Sequence, residues 1–329
     1  WERVLGVLII FLATLPIIHM LHFSPEPEAL AASGSGGGYV GYYVQHLLET
    51  NLGTAGAFAL HGHGKAVGLW QVLHLGTLET PILLTNTLAV FRCADALITW
   101  TLSRHPEARS INPVVLECND GLLSAIEARP VTEDDALAAL SAARDEVEEG
   151  CVGAGTGMVA FELKSGIGTA SRLVGEWTVG ALALPNMGRR EDFLLLGKRP
   201  DLSGLPRIHR REQGSVIVIL ATDAPLLPEQ LSRLCRRGAL GLARTGAPAS
   251  PGSGDFVLCF STAYRIPRET EKLTVEFIPD RSEVMGALYR AAAEATEEAV
   301  LSALLAARDM EGRSGPVPAL VPVRRGMVS

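Results

Sequence analysis

Short apolar runs, each bounded by glycine, proline or small polar residues, dominate the pattern of hydrophobic and polar positions along this chain. Runs of about four to eight residues that are rich in valine, isoleucine and leucine are typical of buried strands. The strands predicted in this way cover residues 56–60, 81–87, 114–116, 158–163, 178–184, 215–221, 256–262 and 273–278.

Longer segments with apolar residues at helical spacing lie between these runs. They predict a helix over 89–103, an acidic, alanine-rich helix over 132–149, a basic helix over 228–242 and a long helix over 282–308. The mixture of buried strands and amphipathic helices indicates an α/β protein. Spacing alone does not define how its sheets are arranged.

The beginning of the chain has a different pattern. Residues 4–23 form a run of twenty residues without an acidic or basic side chain other than histidine, which is long enough to span a bilayer. An A-x-A-like site at 29–31 and a Ser-Gly linker at 33–38 follow, so the globular part is expected to begin at Tyr39. One hypothesis is that residues 1–38 hold a signal peptide or anchor, which predicts export and membrane contact through this segment only. The other is an irregular gene start, which predicts a cytoplasmic protein.

Composition narrows the class of protein. A chain of 329 residues with 47% hydrophobic residues and 34 glycines suits a compact globular enzyme. The net charge of −7 argues against nucleic-acid binding, which needs clustered lysine and arginine. Five dispersed cysteines without a C-x-x-C pair favour free thiols over a disulfide framework or a zinc site. His61 and His63 have no third ligand nearby in the sequence, so a plain loop is predicted and no metal is expected.

Two glycine-rich segments are candidates for a ligand-binding or catalytic site. Residues 153–158 read Gly-Ala-Gly-Thr-Gly-Met, which lacks the spacing of a dinucleotide-binding loop and precedes a strand, so a nucleotide-dependent oxidoreductase is disfavoured. Ser253 lies between Gly252 and Gly254 at the mouth of the predicted strand 256–262, where a ligand could approach closely. Taken alone, that pattern predicts only a turn.

Six sequence words, in this order, resemble the self-processing serine aminopeptidases of the L-aminopeptidase/D-esterase family, which includes the β-peptidyl aminopeptidases. Together with the similar segments that flank them, these words extend the resemblance over roughly residues 50 to 307. The words are PILLTNT at 81–87, PVVLECNDG at 113–121, GAGTGM at 153–158, SGIGTASR at 165–172, ATDAPL at 221–226 and SGD at 253–255.

The resemblance implies a fold and a processing step. The fold is a four-layer αββα sandwich like that of the N-terminal nucleophile (Ntn) hydrolases, formed by a single domain over residues 39–312 with a flexible tail over 313–329. The chain would cut itself between Gly252 and Ser253, after the flexible linker 243–252, into a large chain (39–252) and a small chain (253–329). The freed Ser253 amine, with an unperturbed pKa of about 7.7–8.0, could then serve as a general base.

The same resemblance assigns candidate site residues. Ser253 is the nucleophile, and Thr296 and Glu298 match a hydroxyl-x-Glu pattern that would orient its amine. Because residues two apart on a helix point in different directions, Glu297 stays open as a rival for Glu298. The amide of Asn186 is an oxyanion donor or a simple turn residue. Family members often carry tyrosine where this chain has Phe161, which removes one candidate oxyanion contact.

Glu117 and Asn119 are the candidates for substrate recognition. A carboxylate at the end of a strand can bind the ammonium group of a peptide's amino terminus, which an aminopeptidase must recognise. The alternative is that residues 119–121 form only an Asx turn and that Glu117 faces solvent.

The expected activity is hydrolysis of N-terminal residues from small peptides, amides or esters through an acyl-enzyme, without metal or organic cofactor. The resemblance also implies a homo-oligomer, a tetramer of two-chain units. An alternative is a catalytically silent relative that acts as a binding or scaffold protein, which Phe161 and the irregular amino terminus suggest and the intact Ser253 opposes. The preference among L-α, D-α and β residues depends on pocket shape and is not defined by the sequence.

Overall fold

The structure, a computed structural model, describes residues 9–10, 53–59, 63–144, 146–208, 214–267 and 270–320. No helix within these ranges is long and apolar enough to cross a membrane. The apolar run 4–23 lies outside the described residues except for Ile9 and Ile10, which form a short strand. The A-x-A-like site, the Ser-Gly linker and the predicted domain start at Tyr39 also lie outside them.

The described chain alternates strands with five α-helices. The strands are β1 (Ile9–Ile10), β2 (Gly53–Ala59), β3 (Thr77–Leu78), β4 (Ile82–Asn86), β5 (Val114–Cys118), β6 (Val159–Ala160), β7 (Leu163–Lys164), β8 (Gly168–Val174), β9 (Trp177–Asn186), β10 (Ser215–Thr222), β11 (Gly254–Ser261), β12 (Met310–Gly312) and β13 (Gly315–Val317). The helices are α1 (Leu69–Leu75), α2 (Val90–Arg104), α3 (Glu133–Ala142), α4 (Pro228–Arg244) and α5 (Glu283–Leu305).

Two sheets form the middle of the molecule. The larger has six strands in the order β3-β2-β11-β10-β9-β8, and only β10 and β11 are parallel neighbours within it. The smaller sheet has the order β1-β4-β5, with β4 and β5 parallel. Helices α2 and α3 cover the smaller sheet, and α4 and α5 cover the outer face of the larger one. The predicted αββα sandwich is confirmed.

Two cores explain why the central strands are apolar at consecutive positions. On β11, Phe256, Leu258 and Phe260 point into the core between the two sheets, whereas Val257 and Cys259 point toward α4 and α5. Successive side chains of a strand face opposite sides, so a strand is apolar at consecutive positions along the part that lies between two cores, as over 216–221 and 256–260. This requirement accounts for the continuous apolar runs from which β10 and β11 were predicted.

Three predicted segments differ from the structure. The predicted strand 273–278 is wrong, because this segment pairs with no strand of the described residues and instead Ile278 N donates to the Pro225 carbonyl at 3.1 Å. The predicted strand 158–163 is a tight β6–β7 hairpin, with Phe161 and Glu162 at positive φ in its turn. The predicted helix 132–149 ends at Ala142.

The predicted flexible tail 313–329 is also wrong over residues 313–320. Strand β13 pairs with β12, and Leu320 is fully buried. The Pro318 carbonyl accepts a hydrogen bond of 2.7 Å from Lys164 N. Contacts with distant residues therefore hold residues 313–320 in place, although their glycine and proline content is typical of a flexible tail. Residues 321–329 lie outside the described part of the chain.

Candidate active site

A cleft of about 550 Å³ opens at one end of the larger sheet, where β9 ends and β10 and β11 begin. Asn186 at the end of β9, Ser215 at the start of β10 and Gly254 at the start of β11 are neighbours across three strands there. The carboxyl end of β5 faces them from the smaller sheet. The residues that line the cleft are His63, Gly64, Lys65, Thr87, Glu117, Asn119, Gly121, Leu122, Asn186, Gly214, Ser215, Gly252 and Gly254.

Ser253 lies directly beside this cleft, between two of its lining residues. Its side chain is 2% exposed, and its Oγ donates a hydrogen bond of 2.5 Å to Oδ1 of the buried Asp255. Residues two apart on an extended chain share a side, so the Ser-x-Asp spacing was a signal for this contact. Asp255 was not among the residues predicted for the site. Its carboxylate can accept the proton of the Ser253 hydroxyl.

The loop formed by residues 63–65 packs against the nucleophile strand. A Cβ on Gly254 would lie 2.6 Å from the Gly64 Cα, a distance that only glycine at this position avoids. The close approach also brings the backbone of Lys65 to Glu117 on β5. The loop therefore joins the predicted nucleophile to the predicted substrate-binding carboxylate.

Glu117 is buried, 2% exposed, and lines the cleft, so the alternative in which it faces solvent is wrong. Its Oε1 accepts a hydrogen bond of 2.8 Å from Lys65 N, and its Oε2 accepts one from the Thr87 hydroxyl. An ionised carboxylate has about four acceptor positions, so two contacts leave capacity for an ammonium group. The two contacts also hold the carboxylate in a defined orientation.

The two predicted asparagines both line the cleft. Asn119 is exposed, and its Oδ1 accepts from Gly121 N at 2.9 Å, which is the Asx turn that the alternative interpretation predicted. The Asn186 amide donates to the Asn119 carbonyl at 2.7 Å and to Ser215 Oγ at 3.4 Å. Because an amide NH2 group has two hydrogens, Asn186 would have to release one of these two acceptors to donate to an oxyanion.

Thr296 and Glu298 are not among the residues that line the cleft, and the hydroxyl-x-Glu pair that would orient the Ser253 amine stays a prediction. Thr296 is fully buried on α5, and its hydroxyl donates to the Ala292 carbonyl of the same helix at 2.7 Å. The Glu298 side chain is 53% exposed and forms an ion pair of 2.6 Å with Arg172. Its rival Glu297 pairs with Arg244 at 3.2 Å. These partners follow from the packing of α5 against α4 and β8.

Phe161 also lies outside the cleft lining. Its ring is fully buried and stacks on Phe193 with a centroid distance of 4.8 Å. The ring belongs to the apolar cluster that also contains residues of α4 and α5.

Lys164 is a buried cation that the sequence analysis missed. Its amino group is fully buried and donates to the carbonyls of Gly155 (3.1 Å), Met158 (3.0 Å) and Ser165. These contacts hold the glycine-rich loop 153–158. The loop leads to Val159, whose N–H donates to Asn186 Oδ1 at 3.2 Å, so the loop also supports the cleft lining.

Burial lowers the pKa of Lys164 to about 8, from about 10.4 in an unfolded chain. At pH values between about 8 and 10.4, the Lys164 side chain is protonated more fully in the unfolded chain than in the folded one. The free energy of unfolding therefore rises with pH over this range. We expect the stability of the wild type relative to Lys164→Met to increase by up to about 3 kcal/mol between pH 7.5 and pH 10.5. Urea unfolding measures this difference. The exposed Lys272→Met is the control, and a difference that does not change with pH would contradict the prediction.

Comparisons with known proteins agree with this architecture. The model of peptidase family S58 matches residues 42–317. The β-peptidyl aminopeptidase BapA of Sphingosinicella xenopeptidilytica is 37% identical over 78% of this chain and 70% of its own length.

Solved structures are similar over most of the chain. The β-aminopeptidase of Burkholderia sp. has a TM-score of 0.79 and 38% identity, covering 84% of this chain and 80% of that one. The L-aminopeptidase D-Ala-esterase/amidase of Ochrobactrum anthropi, described as a prototype of the serine aminopeptidases and a new variant of the Ntn-hydrolase fold, has a TM-score of 0.77 and 36% identity over the same shares. The chain therefore belongs to peptidase family S58, and it is an aminopeptidase with an Ntn-hydrolase fold.

Proposed function

We propose that this aminopeptidase activates itself by cleavage between Gly252 and Ser253 and then releases N-terminal residues from small peptides, amides or esters. The observation that carries the proposal is that a buried carboxylate, Glu117, and the residues on both sides of Ser253 line one cleft. A carboxylate that binds a substrate's ammonium group beside a nucleophile selects the first residue of a peptide. The silent scaffold is not favoured by the family membership.

In the processing step, Ser253 Oγ attacks the carbonyl carbon of Gly252. The hydroxyl proton passes to the Asp255 carboxylate, which already accepts that hydrogen bond, and then to the departing nitrogen. The Gly252–Ser253 amide bond breaks as the ester forms. Water then hydrolyses the ester, which leaves a carboxylate on Gly252 and a free amine on Ser253. Glycine at 252 offers no side chain to hinder the attack.

In the turnover step, the substrate's ammonium group pairs with Glu117 and its first carbonyl lies at Ser253. The Ser253 amine takes the hydroxyl proton as the acyl-enzyme forms, and it returns the proton to the leaving amine or alcohol. Water then releases the N-terminal residue. The Asn186 amide remains our candidate for stabilising the oxyanion, after it releases one of its two present acceptors.

Matched substrates test this function. We expect aminoacyl amides with a free amine to be hydrolysed at least about 100-fold faster than their N-acetyl derivatives, because acetylation removes the charge that Glu117 binds. The panel should contain L-α, D-α and β residues, since the names of the relatives include both β-peptidyl and D-alanyl substrates. Release of free amino acid is measured by chromatography. Equal rates for free and acetylated substrates would overturn the role of Glu117, and no hydrolysis of any member would overturn the proposed function.

The homo-oligomer, with tetramers of two-chain units, stays a prediction. Two large apolar side chains, Trp70 (76% exposed) and Phe91 (75% exposed), are consistent with a surface that a second copy could cover. Membrane contact through residues 4–23 concerns a segment that lies almost wholly outside the described residues.

A further inference from the structure

One charged side chain in the cleft has no role in the proposed steps. Lys65 lies on the loop 63–65, which touches Gly254 on one side and Glu117 on the other. Its side chain is exposed and lines the cleft, and its Nζ donates to the His63 carbonyl at 3.0 Å. Among the described residues, no carboxylate lies within ion-pair distance of this amino group.

The position of Lys65 is unusual for a surface lysine. Its backbone N–H binds Glu117, yet its ammonium group donates to the His63 carbonyl and forms no ion pair with that carboxylate. The cleft thus presents one buried carboxylate and one cation that do not neutralise each other. A ligand with an ammonium group at one end and a carboxylate at the other would complement both charges.

We propose that Lys65 binds the free carboxylate at the far end of a short peptide, so that the enzyme prefers dipeptides with a free carboxyl terminus. This inference rests on the proposed function, because it extends the same cleft on the side of the leaving group. It concerns the substrate class and not the chemistry at Ser253.

Chain length supports a dipeptide as the best fit. The backbone of Lys65 is anchored at Glu117, and a fully extended lysine side chain would carry the ammonium group roughly 6 Å from the Cα. Two residues of extended peptide span at most about 7 Å between their ends. The distance between the two charged ends of a dipeptide is therefore similar to the length of the Lys65 side chain. The carboxylate of a longer peptide would lie too far from Glu117 for the Lys65 ammonium group to reach it.

The test compares a dipeptide with its carboxyl-terminal amide, which differs only in the charge at the far end. We expect the wild type to hydrolyse the free dipeptide about tenfold more efficiently, in kcat/KM, than the amide. Lys65→Met should bring this ratio close to one, Lys65→Arg should keep most of it, and Lys65→Glu should invert it. The exposed Lys198→Met, outside the cleft lining, should keep the wild-type ratio.

Binding measurements separate this inference from the proposed function. Calorimetric Kd values on the same proteins, for analogues of the dipeptide and its amide in which a CH2 group replaces the scissile carbonyl, give the ratio without turnover. If neither compound is hydrolysed but Lys65→Met abolishes the preference in Kd, the inference stands and the proposed function fails. If both compounds are hydrolysed with a ratio that Lys65→Met does not change, the inference is overturned and the function stands. If neither measurement shows a preference for the free dipeptide, Lys65 is an ordinary surface lysine.

Discussion

Ser253→Ala should leave the chain in one piece and reduce hydrolysis of aminoacyl amides by roughly a thousandfold or more. Alanine has no hydroxyl to attack the Gly252 carbonyl, so neither the ester nor the free amine at position 253 can form. Intact mass and a denaturing gel measure the cleavage. In the wild type we expect two fragments, one ending at Gly252 and the other beginning at Ser253.

Ser250→Ala is the matched control for this prediction. Ser250 lies three residues earlier and accepts the Ser253 N–H through its backbone carbonyl at 2.8 Å, a contact that alanine retains. This variant should therefore be processed and active. A Ser253→Ala protein that is folded by circular dichroism and still yields the two fragments would show that another group cleaves the chain.

Glu117→Gln should lower kcat/KM for substrates with a free amine by about 100- to 1000-fold. Glutamine keeps the size of the side chain, but it replaces one acceptor by an NH2 donor and removes the charge that holds the ammonium group. Initial rates over a series of substrate concentrations measure this loss. Self-processing should continue, because the Gly252–Ser253 bond offers no free amine to bind.

Glu149→Gln provides a control whose carboxylate has a similar hydrogen-bonding pattern. The Glu149 carboxylate accepts from Thr169 N at 2.6 Å and from Thr169 Oγ at 2.7 Å, much as Glu117 accepts from Lys65 N and Thr87 Oγ, but it does not line the cleft. We expect this variant to lose stability without losing kcat/KM. Equal activity losses in the two variants would mean that Glu117 only supports the fold.

The sheet strands were predictable where both faces are buried. The predicted segments 215–221 and 256–262 agree within two residues at each end with β10 and β11, because the part of a strand that lies between two cores needs apolar residues at consecutive positions. Segment 273–278 is also rich in β-branched and aromatic residues, although it contains Glu276, and it has no strand partner among the described residues. Pairing is a property of two distant segments, so the local pattern could not reveal its absence.

The site was predicted in part. Glu117, Asn119 and Asn186 do line one cleft with Gly252 and Gly254, as the sequence words suggested. In contrast, the carboxylate that contacts the Ser253 hydroxyl is that of Asp255, and the buried cation that orders the neighbouring loop is Lys164.

The sequence by itself determined the α/β class, the family through its ordered words, and Ser253 as the candidate nucleophile. These conclusions depend on residues that are close together in the chain, where local backbone geometry restricts the choice of residue. Only the tertiary structure decided that Glu117 is buried and faces the cleft while Glu298 pairs with Arg172 at the surface. Burial and ion pairing are set by contacts between residues far apart in the chain, and two glutamates with different surroundings look alike in the sequence.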